Sequence, residues 1–181
     1  MFDVTPVTSR REVDCGPTCL KMLLAYYGIG VPLDQLIAEC GENVWGCTAK
    51  DLMVAGGLHG LGMTAYHVDA DELLGLDRPS IIWWRRNHWC VLCGVRDDGR
   101  VEICQPDRGK FSVSKGSFES LYAGVAIFNG EPHDNGEPEP VTVSDLADAM
   151  ADISVTVSDN ADAIADLSEV VSDLAGGDIN G

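Results

Sequence analysis

An α+β fold is predicted for this chain: helices in the first half, an antiparallel sheet in the second, then an extended coiled-coil helix. Three observations carry that expectation. Behind Cys15-Gly16-Pro17, the residues Leu20, Leu23, Leu24 and Tyr27 recur at helical spacing. The runs 80–84 and 88–95 are continuously apolar and of strand length, fit for burial on both faces. From Val141 the sequence repeats every fourteen residues, which is two heptads.

Taken in order, residues 1–13 are polar, and Pro6 discourages a helix, so they read as extended. A first helix covers 15–27, with Pro17 in the first turn and Gly28 as its stop. A loop over 28–32 leads to a short helix at 32–40, and another loop covers 41–46. Thr48 is a good N-cap for a helix over 49–57 that turns Leu52 and Val54 inward. Residues 63–68 alternate as a strand, and 69–76 read as a helical turn. Strands at 80–84 and 88–95 flank the turn Arg85-Arg86-Asn87. Asp97-Asp98-Gly99 carries a hairpin signature, and the returning strand 101–104 stops before Pro106. Strands at 111–113 and 123–127 enclose a short helix over 115–122.

Residues 129–140 lack apolar periodicity and read as a flexible acidic linker between a domain at 1–128 and the repeat. In the repeat, 141–176, Val143, Met150, Val157, Ile164 and Val171 take one seam position. Leu146, Ile153, Leu167 and Leu174 take the other, with Asn160 in its vacant slot. Residues 177–181 are a tail. The pattern predicts a coiled coil that joins copies of the chain; an acidic disordered tail is the competing reading, since Val, Ser, Thr and Asp are poor helix formers. Small, uncharged flanking positions favour a trimer over a dimer, and Asn160 would fix register at some cost in stability.

The net charge of −17 is concentrated: residues 131–181 hold 13 acids and no Lys or Arg. Such a segment repels nucleic acid and anionic membrane surfaces, which excludes both as expected partners. The N-terminus lacks a signal pattern, and no apolar run reaches the length of a membrane span. Seven scattered cysteines then point to free thiols in a reducing cytoplasm. Cys90 and Cys93 form C-x-x-C without a second pair at zinc spacing, so they read as core. No metal or cofactor is expected.

Cys15 opens a buried helix, where the positive end of the helix dipole favours thiolate over thiol. A nucleophile fits that place, and so does a small buried apolar residue. A nucleophile needs a base. Among the histidines, His133 falls in the linker, His59 among glycines and His67 at a strand end without a partner pattern. His88 starts the apolar strand, with Gln105 near it across the hairpin as an orienting side-chain carbonyl. A hydrogen-bonded strand-end histidine without chemistry is the alternative.

The stretch D-C-G-P-x-C-L-x-M-L-L-x-Y-Y-G resembles the opening of the C39 peptidases, papain-like cysteine peptidases that cut after a double glycine. The similarity continues through Gly46-Cys47-Thr48 with Leu52, Leu61-Gly62, H-W-C-V-L and I-C-Q-P-D-R-G, over about residues 5–128. The resemblance implies a papain-like fold with Cys15 as nucleophile and His88 as general base. Gln105 stands where the family usually has Asp, with Asp107 as a possible auxiliary. Ser9 stands where the family places the Gln of the oxyanion hole, leaving Ser9 and the Cys15 N–H as donors. The expected function is peptide-bond cleavage after Gly-Gly by a coiled-coil oligomer, suited to a phage virion or tail. The alternative, supported by Ser9 and Gln105, is an inactive C39-like domain that binds peptide or serves in an assembly. Gly176-Gly177, preceded by spaced apolar residues, resembles a double-glycine leader of the chain's own, although Gly-Gly is also an ordinary helix terminator.

Overall fold

The computed structural model describes residues 1–41, 46–85 and 87–130, and the linker, the coiled-coil heptads and the tail lie outside them. A 3-10 turn at Glu12–Asp14 leads into α1 (Cys15–Tyr26), followed by α2 (Leu33–Glu39) and α3 (Ala49–Leu58). Then come β1 (Met63–His67), α4 (Ala70–Leu74), β2 (Ser80–Trp84), β3 (His88–Val95), β4 (Val101–Gln105), β5 (Gly109–Val113), α5 (Lys115–Leu121) and β6 (Tyr122–Asn129). Helices precede an antiparallel sheet, as the sequence predicts. None of the described helices is long and apolar enough to cross a membrane.

α1 is the central helix because its sequence leaves it no other place. Cys19, Leu20, Met22, Leu23 and Leu24 are all fully buried, a width of apolar surface that must be covered on more than one side. Its end follows from Gly28, whose φ of 78° any Cβ would strain. The Gly28 N–H donates to Ala25 C=O at 3.0 Å and the Ile29 N–H to Leu24 C=O at 2.9 Å, the paired bonds of a Schellman stop. α1 packs on β3 and β2 of the sheet and on α2 and α3 beside it. α2 and α3 are tied by Glu39 Oε2 and His59 Nε2 at 2.7 Å.

α3 starts at a complete capping box: Thr48 Oγ1 accepts from the Asp51 N–H, and the Asp51 carboxylate accepts from the Thr48 N–H at 2.8 Å. Its inward face is Leu52, Ala55 and Gly56, whereas Val54 is 53% exposed. The inward placement expected for Val54 is therefore corrected: with Leu52 facing the core, helical spacing turns residue 54 away.

The six strands are ordered β1-β6-β2-β3-β4-β5, with every pairing antiparallel. The last strand thus lies inside the sheet, between the first two, and runs from Tyr122 to Asn129 rather than over 123–127. β5 begins at Gly109, ahead of the expected 111, because Gln105 and Gly109 already pair across the tight turn. β3 is buried along its length apart from its two ends. Cys90 and Cys93 are both fully buried in it. A further apolar cluster joins α4 and α5 to the sheet through Leu73, Trp84, Phe118 and Phe128. Phe118, on α5, stacks on Tyr122 with ring centroids 5.5 Å apart.

Phe118 has no exposed surface, so Phe118→Ala should lower unfolding free energy by about 3–5 kcal/mol. Val54→Ala should change it by less than about 0.5 kcal/mol. Urea unfolding followed by tryptophan fluorescence reads both, and equal losses would contradict the assigned faces.

Candidate active site

The first turn of α1 is built before its cysteine. Asp14 holds the N-cap position but makes no side-chain cap bond, because its carboxylate is turned to Arg11. Arg11 Nε and Nη2 donate to the two carboxylate oxygens at 3.1 and 2.9 Å. Asp14 is only 2% exposed, and a carboxylate so placed needs a charged partner. Thr18 Oγ1 donates to the Asp14 C=O at 2.7 Å, closing the turn from the other side.

Cys15 follows at 7% exposure. Burial pushes its thiol above the ordinary value, and the Asp14 charge adds to that. The neighbouring backbone N–H groups of Trp89, Gly16 and Cys15 itself oppose the rise without cancelling it. The thiolate expected from the helix N-terminus is therefore corrected: at this site desolvation outweighs the local donors. The resting group is a thiol.

The Trp89 N–H belongs to the peptide unit that joins His88 to Trp89, so the start of the strand that carries His88 lies near Cys15. The β3–β4 ladder pairs Val91 through Val95 with β4. Ahead of it, the Trp89 backbone turns to α1, where its C=O accepts from Cys19 Sγ at 3.2 Å. The Trp89 indole Nε1 donates to the Cys47 C=O at 3.0 Å, drawing in the segment before α3. One residue of β3 thus gathers α1 and the approach to α3.

His88 pairs with Trp84 at the mouth of the β2–β3 turn, and its side chain is 14% exposed. Its Nε2 stands 3.7 Å from Asp107 Oδ1. The other Asp107 oxygen lies 3.7 Å from Arg108 Nε. Gln105, half-buried, ends β4 opposite Gly109, just before the turn that holds Asp107. Ser9 is brought to the same turn, its backbone N–H donating to the Pro106 C=O at 3.0 Å. Ser9, Gln105 and Asp107 therefore converge on the turn beside His88, with the Asp107 carboxylate facing the imidazole. The seam residues 143–174 lie outside the described residues. Among those described, no group of three or more His, Cys, Asp or Glu could hold a metal ion.

Two residues take parts that the sequence reading did not give them. Arg11, paired with Asp14, carries no signal at that spacing beyond charge complementarity. Cys47 is the other: a Cβ at residue 16 would collide with Cys47 Sγ and meet Trp89 Cδ1 at 3.1 Å. Only glycine fits after Cys15, and the Cys-Gly dipeptide was the available clue to that close approach.

A cysteine at the start of a buried helix, set against a strand that opens with histidine, defines a papain-like cysteine peptidase domain. The chain belongs to the Peptidase C39 family, whose model matches residues 3–133. It is 28% identical over 123 residues to the colicin V secretion/processing ATP-binding protein CvaB of Escherichia coli, covering 67% of this chain and 18% of that one. An uncharacterized protein of Methanothermobacter thermautotrophicus is 23% identical over 132 residues, 73% of this chain and 92% of its own length. Among solved structures, a double glycine motif protease from an AMS/PCAT transporter, in complex with the leader peptide, superposes with TM-score 0.67 at 28% identity. That match covers 70% of this chain and 90% of the other. The peptidase domain of Streptococcus ComA gives TM-score 0.64 at 25% identity, over 69% and 96%. The chain thus spans under a fifth of the curated transport proteins and nearly the whole of isolated peptidase domains.

With its pKa raised, Cys15 is protonated at neutral pH, and thiolate appears only as pH climbs through that raised value. Iodoacetamide labelling of Cys15, read by peptide mass spectrometry, should therefore rise with a midpoint above about 8.5, the usual thiol value. Asp14→Asn removes an opposing charge and should move the midpoint down. A wild-type midpoint below the usual value would mean that the N–H donors win.

Proposed function

We propose that this chain is a cysteine peptidase that cleaves a peptide bond after Gly-Gly. The observation that supports it best is the docking of α1 on the start of β3, where Cys19 Sγ, one turn after Cys15, donates at 3.2 Å to the C=O of Trp89, the residue after His88. In the reaction, Cys15 attacks the scissile carbonyl as its proton passes to His88, and a C–S bond forms. The amine leaves as the C–N bond breaks, taking the proton back from His88. Water then attacks the thioester with His88 again as base, releasing the acid and restoring the thiol. Because the resting sulfur is protonated, His88 acts as a base during attack rather than as half of a standing ion pair. The Cys15 N–H and Ser9 are the proposed oxyanion donors.

Asp107 supplies the carboxylate that Gln105 lacks. An imidazole whose Nε2 faces a carboxylate exchanges its proton through Nδ1, and the negative charge stabilises the imidazolium formed during attack. Gln105 orients without charge. The substrate class follows the double glycine motif protease and its leader peptide, to which the domain is similar. The proposal extends to a homo-oligomer held by the 141–176 heptads, a cytoplasmic site of synthesis and incorporation in a phage particle, all resting on sequence alone.

A second reading, an inactive C39-like peptide binder or assembly part, is favoured by Gln105 at the Asp position and by the raised Cys15. Fluorogenic peptides ending in Gly-Gly before the reporter separate the two. Cleavage abolished by Cys15→Ala, and reduced about 10²–10⁴-fold by His88→Ala, supports the peptidase. Asp107→Asn should lower kcat more than Gln105→Ala does. Binding without cleavage, unchanged by Cys15→Ala, establishes the binder instead. Sedimentation equilibrium should give the mass of three chains, falling to one when Leu146 and Leu167 are both replaced by Asp.

A further inference from the structure

Residues 1–9 form neither helix nor strand, yet they are fastened at both ends. One anchor is a bulge in β3. Leu92 pairs with Ile103 and Gly94 with Glu102, so Cys93 is the extra residue, and its C=O accepts from the Phe2 N–H at 2.7 Å. Gly94 leaves room for this approach, since a Cβ there would meet the Phe2 ring at 3.4 Å. Phe2 stands edge-on to Tyr26 of α1, Val4 is fully buried, and Asp3 Oδ1 lies 3.6 Å from Lys110 Nζ on β5.

The other anchor is the Ser9 N–H, which donates to the Pro106 C=O at 3.0 Å. That carbonyl belongs to the peptide unit that joins Pro106 to Asp107. Within the turn, the Arg108 N–H donates to the Gln105 C=O at 3.2 Å. Such a bond is common to turns whose central peptide faces either way, and the Ser9 N–H settles which way Pro106–Asp107 faces. Past Ser9 the chain is tied to the helices: Arg10 pairs with Asp34 of α2 at 2.6 Å, and Arg11 with Asp14 ahead of Cys15.

We propose that the Ser9 main chain is a positioning element for the His88–Asp107 pair, coupling it to the helix that carries Cys15. Ser9 lies six residues before Cys15, so one hydrogen bond joins the approach to α1 with the turn that carries Asp107. Asp107 Oδ1 stands 3.7 Å from His88 Nε2 and its side chain is half exposed. A carboxylate so placed contributes little unless its backbone is held, because water competes for it. This role needs no hydroxyl, unlike the oxyanion role proposed for Ser9. Its consequence for catalysis rests on the peptidase reading, whereas the geometry is measured on the imidazole itself.

The test follows the His88 imidazole by proton NMR in the full-length protein as pH is raised, its signal assigned by loss in His88→Gln. Arg108, 3.7 Å from the other Asp107 oxygen, and Arg85 in the β2–β3 turn are kept in every variant. Asp107→Asn removes the charge that favours imidazolium and should lower the midpoint by about half a unit, the scale of a half-exposed ion pair. Ser9→Pro removes the donor N–H and should lower it equally, with no further fall when the two changes are combined. Ser9→Ala keeps the N–H and should leave the midpoint unchanged. If Ser9→Pro fails to fold, Val4→Ala loosens the same segment at its buried anchor and should lower the midpoint part of the way. In Gly-Gly peptide cleavage, Ser9→Pro should lower kcat by about 10–10²-fold, the scale of a displacement approaching 1 Å, with KM within about twofold. Absence of cleavage by the wild type overturns the peptidase reading and leaves the NMR result to decide this one. A midpoint unmoved by Asp107→Asn, or by the segment variant, overturns the proposal. So does an equal fall in Ser9→Ala, or shifts that add in the double variant.

Discussion

The docking of α1 against the first residues of β3 is the constraint on which the rest of this domain depends. A sheet strand normally spends its N–H and C=O groups on its two neighbours. At Trp89 the β4 neighbour has not yet begun pairing, and Cys19 Sγ of α1 donates to its C=O instead. That exchange is possible because α1 lacks bulk where it meets the strand. Cys15 and Cys19 are small, Gly16 has no side chain, and the Trp89 ring fills the volume beside them. Larger residues there would push α1 off the strand and separate Cys15 from His88.

The electrostatics follow from the same packing. Closing α1 on β3 excludes water from Cys15, and exclusion favours the thiol over the thiolate. Nearby backbone N–H groups limit that effect. The Arg11–Asp14 pair fixes the turn that aims the sulfur, although the Asp14 charge itself works against ionisation. Precise placement and a ready thiolate are thus in opposition here, and the fold resolves the conflict in favour of placement. His88, one residue before Trp89 on β3, has Asp107 beside its ring.

The sequence made most elements legible because their signals are local. α1 showed its spacing and its Gly28 stop, α3 its Thr48 cap, and β3 its continuous apolar run. Cys15 and His88 stood out because each opens an element, where a functional group gains access without breaking a core. The position of β6 between β1 and β2 was not legible, since pairing partners some sixty residues apart leave no periodic trace. Val54 was misplaced because a one-residue shift of phase on a short helix turns a side chain outward. Asp107 was named only as an auxiliary, because its approach to His88 depends on how tightly the β4–β5 turn closes at Gly109.

Cys47 illustrates the limit most clearly. By composition it is one of seven scattered thiols, without a partner at any recognisable spacing. Its contacts reach back to Gly16 and forward to Trp89, joining three segments at one sulfur and one carbonyl. Such a residue becomes visible only when the helices are closed on the sheet, because what defines it is the space left by a missing side chain. Gly16 and Cys47 are in this sense one feature read from two ends. The glycine permits the approach that brings α1 to β3, and the cysteine occupies the room the glycine leaves. A domain that seats its first helix by so close a fit leaves no room for a side chain at residue 16.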